Sequence, residues 1–499
     1  MRRMAWRNMT YLYKRTCVMG GEEFFTHMPP SASIPVYCYE HWISDAWDAL
    51  SYGKDYDPSR PFFDQWKELF YSVPWTPQWN YQKINSDYSI SAYIKNCYLC
   101  FDSGSNTEDS AYCVSIQFGK QCYNVINSKH CELCYFCINT DKSYKTFFSR
   151  NCEECVDSWF LQDCIGCTSC FGCTGLRNKS YCIFNEQYTK EEYKKKLEEL
   201  LRDFEGAKKQ AMDTWIKYPV KYMHGFQNKN ATGDYIYNSA DLRTCFFANG
   251  AQNCAYSQSI IYTSVKDSLD ITSVGSAVEL AYESLCAGEQ MSNVVAVNDC
   301  GSSLENAQYC SSCTKSGDLF GCVGLRNKKY CILNKQYAPD VYKKLRAQII
   351  EDMKRRGEYG EFFPVEMSPF GYNETQAQDY FPLTKEEAIK QGFKWRDAKR
   401  KEVPKAEGVI MCKHDQSCDH LCTGGFKMIP SEIEFCKQNK IPFPTLCFNC
   451  RYKELVSWRN PPSLNDRKCA KCSKELMTSY RSDQKEIVYC EQCYQKEVV

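Results

Sequence analysis

The segment Phe171–Tyr188, FGCTGLRNKSYCIFNEQY, returns 149 residues later as Phe320–Tyr337, FGCVGLRNKKYCILNKQY, with four positions changed. A chain that repeats so long a block builds the same supersecondary unit twice. Each copy closes a Cys-rich stretch and runs straight into a helical pattern. In the first, Tyr193, Leu197, Leu200, Leu201 and Phe204 share a helical stripe behind Thr189 and Glu192, which have the form of a capping box. In the second, Tyr342, Leu345, Ile349 and Met353 follow Pro339 at a first-turn position. The repeated unit is therefore a Cys-rich block capped by a helix.

The chain has 34 cysteines in 499 residues, which admits disulfides, metal sites or small buried thiols. The charged N-terminus, MRRMAWRN, carries no secretory signal, and no run of about 18 apolar residues marks a membrane span. A reduced, cytoplasmic protein is expected, with disulfides the minority reading. Cys113, Cys134 and Cys155 are spaced by 21, as are Cys131, Cys152 and Cys173. A fixed period of this size predicts a solenoid, and one coil per period would stack equivalent thiols about 4.8 Å apart. The second block, near 230–335, is less regular but ends in Cys300, Cys310, Cys313, Cys322 and Cys331. Short turns such as Asp102-Ser-Gly-Ser-Asn106, in the first block, suit corners between brief strands. The series Cys164, Cys167, Cys170, Cys173 approaches an iron–sulfur spacing but lacks the wider last gap and the proline. Stacked structural thiols are the expectation there.

Cys469-Ala-Lys-Cys472 and Cys490-Glu-Gln-Cys493 are two knuckles separated by seventeen residues, the pattern of a zinc ribbon. Cys447-Phe-Asn-Cys450 is a third knuckle, for which Cys418 and Cys422 are the first-choice partners and Cys412 and His414 the substitutes. A shift of 452 lays Trp6-Arg7-Asn8 on Trp458-Arg459-Asn460, Cys17 on Cys469 and Tyr37-Cys38 on Tyr489-Cys490. The N-terminal segment reads as a decayed ribbon, because Gly20 stands for Cys472 and His41 for Cys493. Cys17, Cys38 and His41 are then one ligand short of a closed site. One to three zinc ions per chain are expected.

The fold class is mainly β: two tandem Cys-rich parallel β-solenoid blocks, each capped by an α-helix, flanked by zinc-ribbon modules. The expected order is a degenerate ribbon over 1–44, an aromatic-rich helical linker over 45–85, a first solenoid with its helix over 86–215 and a second over 216–358. A linker over 359–408 and tandem ribbons over 409–499 complete it. Net charge is only +1, so any basic surface is local. Arg451, Lys453, Trp458, Arg459, Arg467 and Lys468 suggest one on the C-terminal ribbons, able to meet a nucleic-acid backbone or a protein. Arg177 and Arg326, equivalent in the repeat, are candidate anion sites at the solenoid ends.

Taken together, Trp6-Arg7-Asn8, Ser51–Asp57 (SYGKDYD), Arg60-Pro-Phe-Phe63, both Gly-Leu-Arg-Asn-Lys blocks and Ser368–Glu374 (SPFGYNE) carry a resemblance over nearly the whole chain. The chain resembles an uncharacterised family of bacterial proteins, seen mostly in metagenomes, with zinc ribbons at both ends of a Cys-rich repeat region. The resemblance implies this architecture and no activity. Family members usually carry a complete N-terminal ribbon, which this chain lacks.

Six scattered histidines form no hydrolase pattern and no Gly-rich phosphate loop precedes Lys-Ser or Lys-Thr. A zinc-binding, non-catalytic scaffold is the first functional expectation. The alternatives are a polymer- or carbohydrate-active solenoid enzyme, with Trp42, Trp47, Trp66, Trp75 and Trp79 stacking on sugars, and a cysteine-based metal or redox protein. Phe62, Phe63, Trp66, Leu69 and Phe70 at helical spacing favour a docking face over a sugar platform.

Overall fold

The computed structural model describes the chain except residues 77–80, 103–105, 116–118, 120–121, 127–132, 261–263, 398–401, 405 and 499. Trp79, His130, Cys131 and the centre of the 102–106 turn lie outside the described residues. The chain divides into two compact units, one of residues 1–80, 223–396 and 461–464, the other of 81–222, 397–460 and 465–499.

The local rule of the solenoids is a triplet. From Cys134 to Cys173 every third residue is buried, and all are small thiols or hydroxyls except Leu161. Two residues after each buried position the backbone is left-handed, as at Asn139, Lys142, Lys145, Phe148, Asn151 and Glu154. Such conformations are costly for most side chains, so a run of them persists only where the surrounding structure enforces it. Here each is a corner. Four triplets make one coil, because Arg150 pairs in parallel with Gln162 and Gln162 with Thr174, twelve residues apart each time. The 21-residue coil expected from the cysteines is thus corrected to twelve. Both numbers are multiples of three, and inward positions alone cannot distinguish them. In the second solenoid the coil lengthens to thirteen over Val265↔Val278 and Val278↔Met291, then returns to twelve at Leu304↔Ser316.

Inside, the thiols behave as hydroxyl equivalents. Cys155 Sγ donates to the carbonyls of Glu153 (3.4 Å) and Cys164 (3.5 Å), and Thr146 Oγ1 donates to those of Tyr144 (3.5 Å) and Cys155 (3.0 Å). Serine adds a second function at the same position: Ser158 Oγ donates to Val156 O and accepts from the Cys170 amide one coil later. The narrow core of the first solenoid favours small side chains, and Cys, Ser and Thr each satisfy the carbonyls that line it. Outside, Tyr123, Tyr135, Phe147, Trp159 and Phe171 stack at twelve-residue intervals.

Each block ends in a helix, as the repeat predicts. Lys190–Arg202 starts on the Thr189–Glu192 capping box, and Pro339–Arg356 ends on the left-handed Gly357. Asn185 and Asn334, equivalent in the repeat, close the last coils by pairing with the backbones of Thr174 and Val323. A second helix, Phe204–Trp215, follows the first cap and sets Phe204 against Phe148 and Phe160.

In the first unit the aromatic helix Phe62–Ser72 lies on the second solenoid, with Phe62 against Tyr309 and Phe320. Trp66 and Trp42 are buried, and Trp66 stacks on Phe70 and Phe363. These rings form a docking core. In the second unit the helix Pro430–Gln438 seats Phe435 against Tyr123, Tyr135 and Phe147 on the outer stack of the first solenoid.

Candidate metal centres

Three ribbons share one backbone pattern. In the C-terminal ribbon the Cys469 amide donates to Lys474 O, the Ala470 amide to Val488 O and the Cys490 amide to Cys469 Sγ at 3.3 Å. In the N-terminal ribbon the same bonds join Cys17 to Glu22 O, Val18 to Val36 O and Cys38 to Cys17 Sγ at 3.4 Å. In the middle ribbon they join Cys412 to Gly424 O, Lys413 to Thr445 O and Cys447 to Cys412 Sγ at 3.3 Å. The second knuckle opens a helix each time, with Cys38, Cys447 and Cys490 at the N-cap. Backbone amides and a helix N-terminus together favour thiolate over thiol.

Cys469, Cys472, Cys490 and Cys493 converge with every ligand atom within 4.8 Å of the others. The Cys472 and Cys490 sulfurs are 3.7 Å apart. With metal–sulfur bonds of about 2.3 Å a tetrahedron has an edge of about 3.8 Å, so the spacing fits a shared ion. Burial opposes ionisation of Cys469, yet the amides of Cys490, Cys472 and Lys471 bring its thiol down to about 6.

The middle ribbon changes the expected ligand set. Its converging group is Cys412, Cys422, Cys447 and Cys450, with Cys422 and Cys447 sulfurs 3.8 Å apart. Cys412, held in reserve by the sequence reading, is the counterpart of Cys469 and Cys17 by the bond it accepts. Cys418 is not in this group. It joins a second one with His414, His420 and Cys450. The spacing hid Cys412, because nine residues separate it from Cys422 where two separate Cys469 from Cys472.

The N-terminal ribbon is corrected in the other direction. Its group has four members, Cys17, Glu22, Cys38 and His41. Glu22 Oε1 lies 2.8 Å from Cys38 Sγ and 2.8 Å from His41 Nδ1, and His41 Nδ1 is 3.3 Å from Cys17 Sγ. A Cβ on Gly20 would collide with Glu22 Oε2 and His41 Cε1. The carboxylate therefore fills the place of the missing cysteine. A glutamate two residues past a lost ligand has no spacing signature, and sequence reasoning missed it. Glu22→Ala should lower metal affinity here by more than about tenfold, since even outer-shell changes cost ~10–100-fold. Adding Gly20→Cys should restore it. Competition with a chromophoric chelator measures both, and unchanged affinity in Glu22→Ala would remove Glu22 from the ligand set.

The candidate partner residues are mostly committed inside the fold. Arg451 is 3% exposed and paired with fully buried Glu432 at 2.6 Å, which corrects its placement on a basic surface. Arg459 is likewise buried, and Trp458 packs against Phe136 and Trp215. Arg467 donates to the carbonyls of Arg481 and Glu486, as Arg15 does to those of Pro29 and Ile34, the same positions 452 residues earlier. It is a clamp within the ribbon. Arg326 donates to Ser44 O and lies over the rings of Trp42 and Trp47. Arg177 is bonded to Asp163 O and faces Tyr494, the counterpart of Trp42. Both arginines fasten a ribbon to the last coil of a solenoid. Lys468 is exposed and Lys453 half-buried.

Cys164, Cys167, Cys170 and Cys173 occupy four successive sides of one coil, and each thiol donates to the carbonyl two residues back. Burial pushes Cys164 and Cys313 well up, and Cys245 and Cys331 to about 12. Among the described residues, the groups that converge on a common point come from the ribbons.

Fold and sites together define a class: a Cys-rich parallel β-solenoid protein fastened to ribbon modules with candidate metal centres. Comparison with protein-family models, curated proteins and solved structures finds no match. Among the described residues no helix is long and apolar enough to cross a membrane.

Proposed function

We propose that the protein is a non-catalytic scaffold in which zinc-stapled ribbons are fastened to two solenoids that present surfaces to a partner. One observation carries the reading: the converging, chemically capable side chains are four-ligand sets of the structural type, rich in thiolate. The donor chemistry suits zinc, a borderline-soft ion without redox demands. The solenoid cysteines support the same reading, because their thiols are buried and engaged by carbonyls. When bound, the ion would supply folding free energy to modules with little core of their own.

Partner contact is proposed for the exposed face of the C-terminal hairpin, where Asp466, Lys468, Glu475 and Met477 border an open depression. The class of partner is a protein or a nucleic acid. Oligonucleotide binding that disappears in Lys468→Glu would select nucleic acid, and no binding at low salt would leave a protein.

Metal analysis of the full chain, purified without added metal, tests the scaffold reading. Zinc without iron is expected, with solenoid thiols silent to a thiol reagent until the protein is denatured. Iron, or rapid modification of solenoid thiols in the folded protein, would overturn the reading in favour of metal or redox handling by the cysteine ladders.

A further inference from the structure

The middle ribbon is complete with Cys412, Cys422, Cys447 and Cys450, yet the loop between its first two ligands is seven residues longer than in the C-terminal ribbon. That loop, 413–421, carries His414, Cys418 and His420, and all three converge with Cys450. We propose that the loop adds a second metal ion to this ribbon, held by His414, Cys418 and His420 and bridged to the first ion through the Cys450 thiolate.

The details of the convergence and of the loop that makes it both bear on this. Cys418 Sγ is 3.6 Å from Cys450 Sγ, while Cys422 Sγ is 3.8 Å from Cys447 Sγ. Both separations match the ~3.8 Å edge of a tetrahedral thiolate site. Cys450 thus belongs to two ligand sets, and a thiolate sulfur has lone pairs enough for two ions. His414 Nδ1 is shut off from solvent with no hydrogen-bond partner among the described residues, a cost that a metal ion would remove. The loop is pinned over the knuckle by the Asn449 side chain, which donates to Leu421 O at 2.8 Å. It also holds Asp415, Gln416 and Leu421 in left-handed conformations, which persist only where the surroundings enforce them.

Charge favours the shared site as well. One divalent ion on four thiolates carries a net charge of −2. Two divalent ions on the five thiolates Cys412, Cys418, Cys422, Cys447 and Cys450, with two neutral imidazoles, carry −1. The mixed sulfur and nitrogen donors suit a divalent ion of the zinc type.

The test uses the full chain loaded with cadmium-113. Two resonances split by cadmium–cadmium coupling through the shared sulfur are expected. The double substitution His414→Ala, His420→Ala should remove one metal ion per chain and collapse the remaining partner to a singlet, because the four-cysteine set stays intact. Singlets only in the unaltered chain, or unchanged metal content in a folded double variant, would overturn the proposal. Should the double variant fail to fold, the spectrum of the unaltered chain decides alone.

Discussion

Stripping metal from the intact chain with an excess of a strong chelator is expected to unfold the C-terminal ribbons while the solenoid β-signal in circular dichroism survives. Structural zinc contributes roughly 10–16 kcal/mol of apparent folding free energy in small modules at neutral pH, more than such a module gains from its own core. The ribbon around Cys469 has a small core built from Val220, Leu476, Tyr480 and Val488. The solenoids have no such dependence, since their coils are closed by backbone pairing and buried thiols. Limited proteolysis before and after chelation reads the difference: new cuts should fall within 409–499 and spare 134–183. Equal protection of both regions after complete metal removal would show that the ribbons are held by packing alone.

The second large effect is expected at Arg451. Its guanidinium donates to Glu432, which also accepts from Tyr135 Oη at 3.4 Å, and it lies 4.5 Å from the Tyr112 ring centroid. Arg451→Ala should destabilise the unit holding the first solenoid by about 3–5 kcal/mol, because a buried carboxylate would lose its counter-charge. Replacing both partners, as Arg451→Met with Glu432→Leu, should recover most of that loss, since a well-packed apolar pair is often neutral or better in place of a buried ion pair. Urea unfolding followed at tryptophan compares the two. A single substitution costing less than about 1 kcal/mol, the worth of an exposed pair, would place Arg451 at the surface after all.

Sequence alone revealed the class of fold because cysteine recurs at positions the solenoid forces inward. The coil length stayed hidden because the constraint acts on triplets: every inward residue obeys it, and a spacing of seven triplets fits as well as one of four. Where two residues separate the ligands, as at Cys469 and Cys472, the knuckle was legible. Where a loop intervenes, as after Cys412, or where another residue type has moved into the vacancy, as at Glu22 beside Gly20, only the backbone register discloses the ligand. The basic residues failed differently. Arg451, Arg459 and Arg467 have the composition of a binding surface, but formal charge says nothing of burial, and each is used within the fold.

Within its own unit the N-terminal ribbon packs on the second solenoid, which is made only after residue 222. Trp6, Trp42 and Phe62 find their partners at Phe362, Arg326 and Tyr309. A ribosome therefore releases the first 80 residues long before their docking surface exists. At ~5–20 residues per second the delay to residue 362 is roughly 15–60 s. During that interval an aromatic face built from Trp6, Phe62, Trp66 and Phe70 lacks its partners on the second solenoid and must stay unpaired until that solenoid emerges. Nascent chains stalled before residue 300 should accordingly be the species most dependent on chaperones.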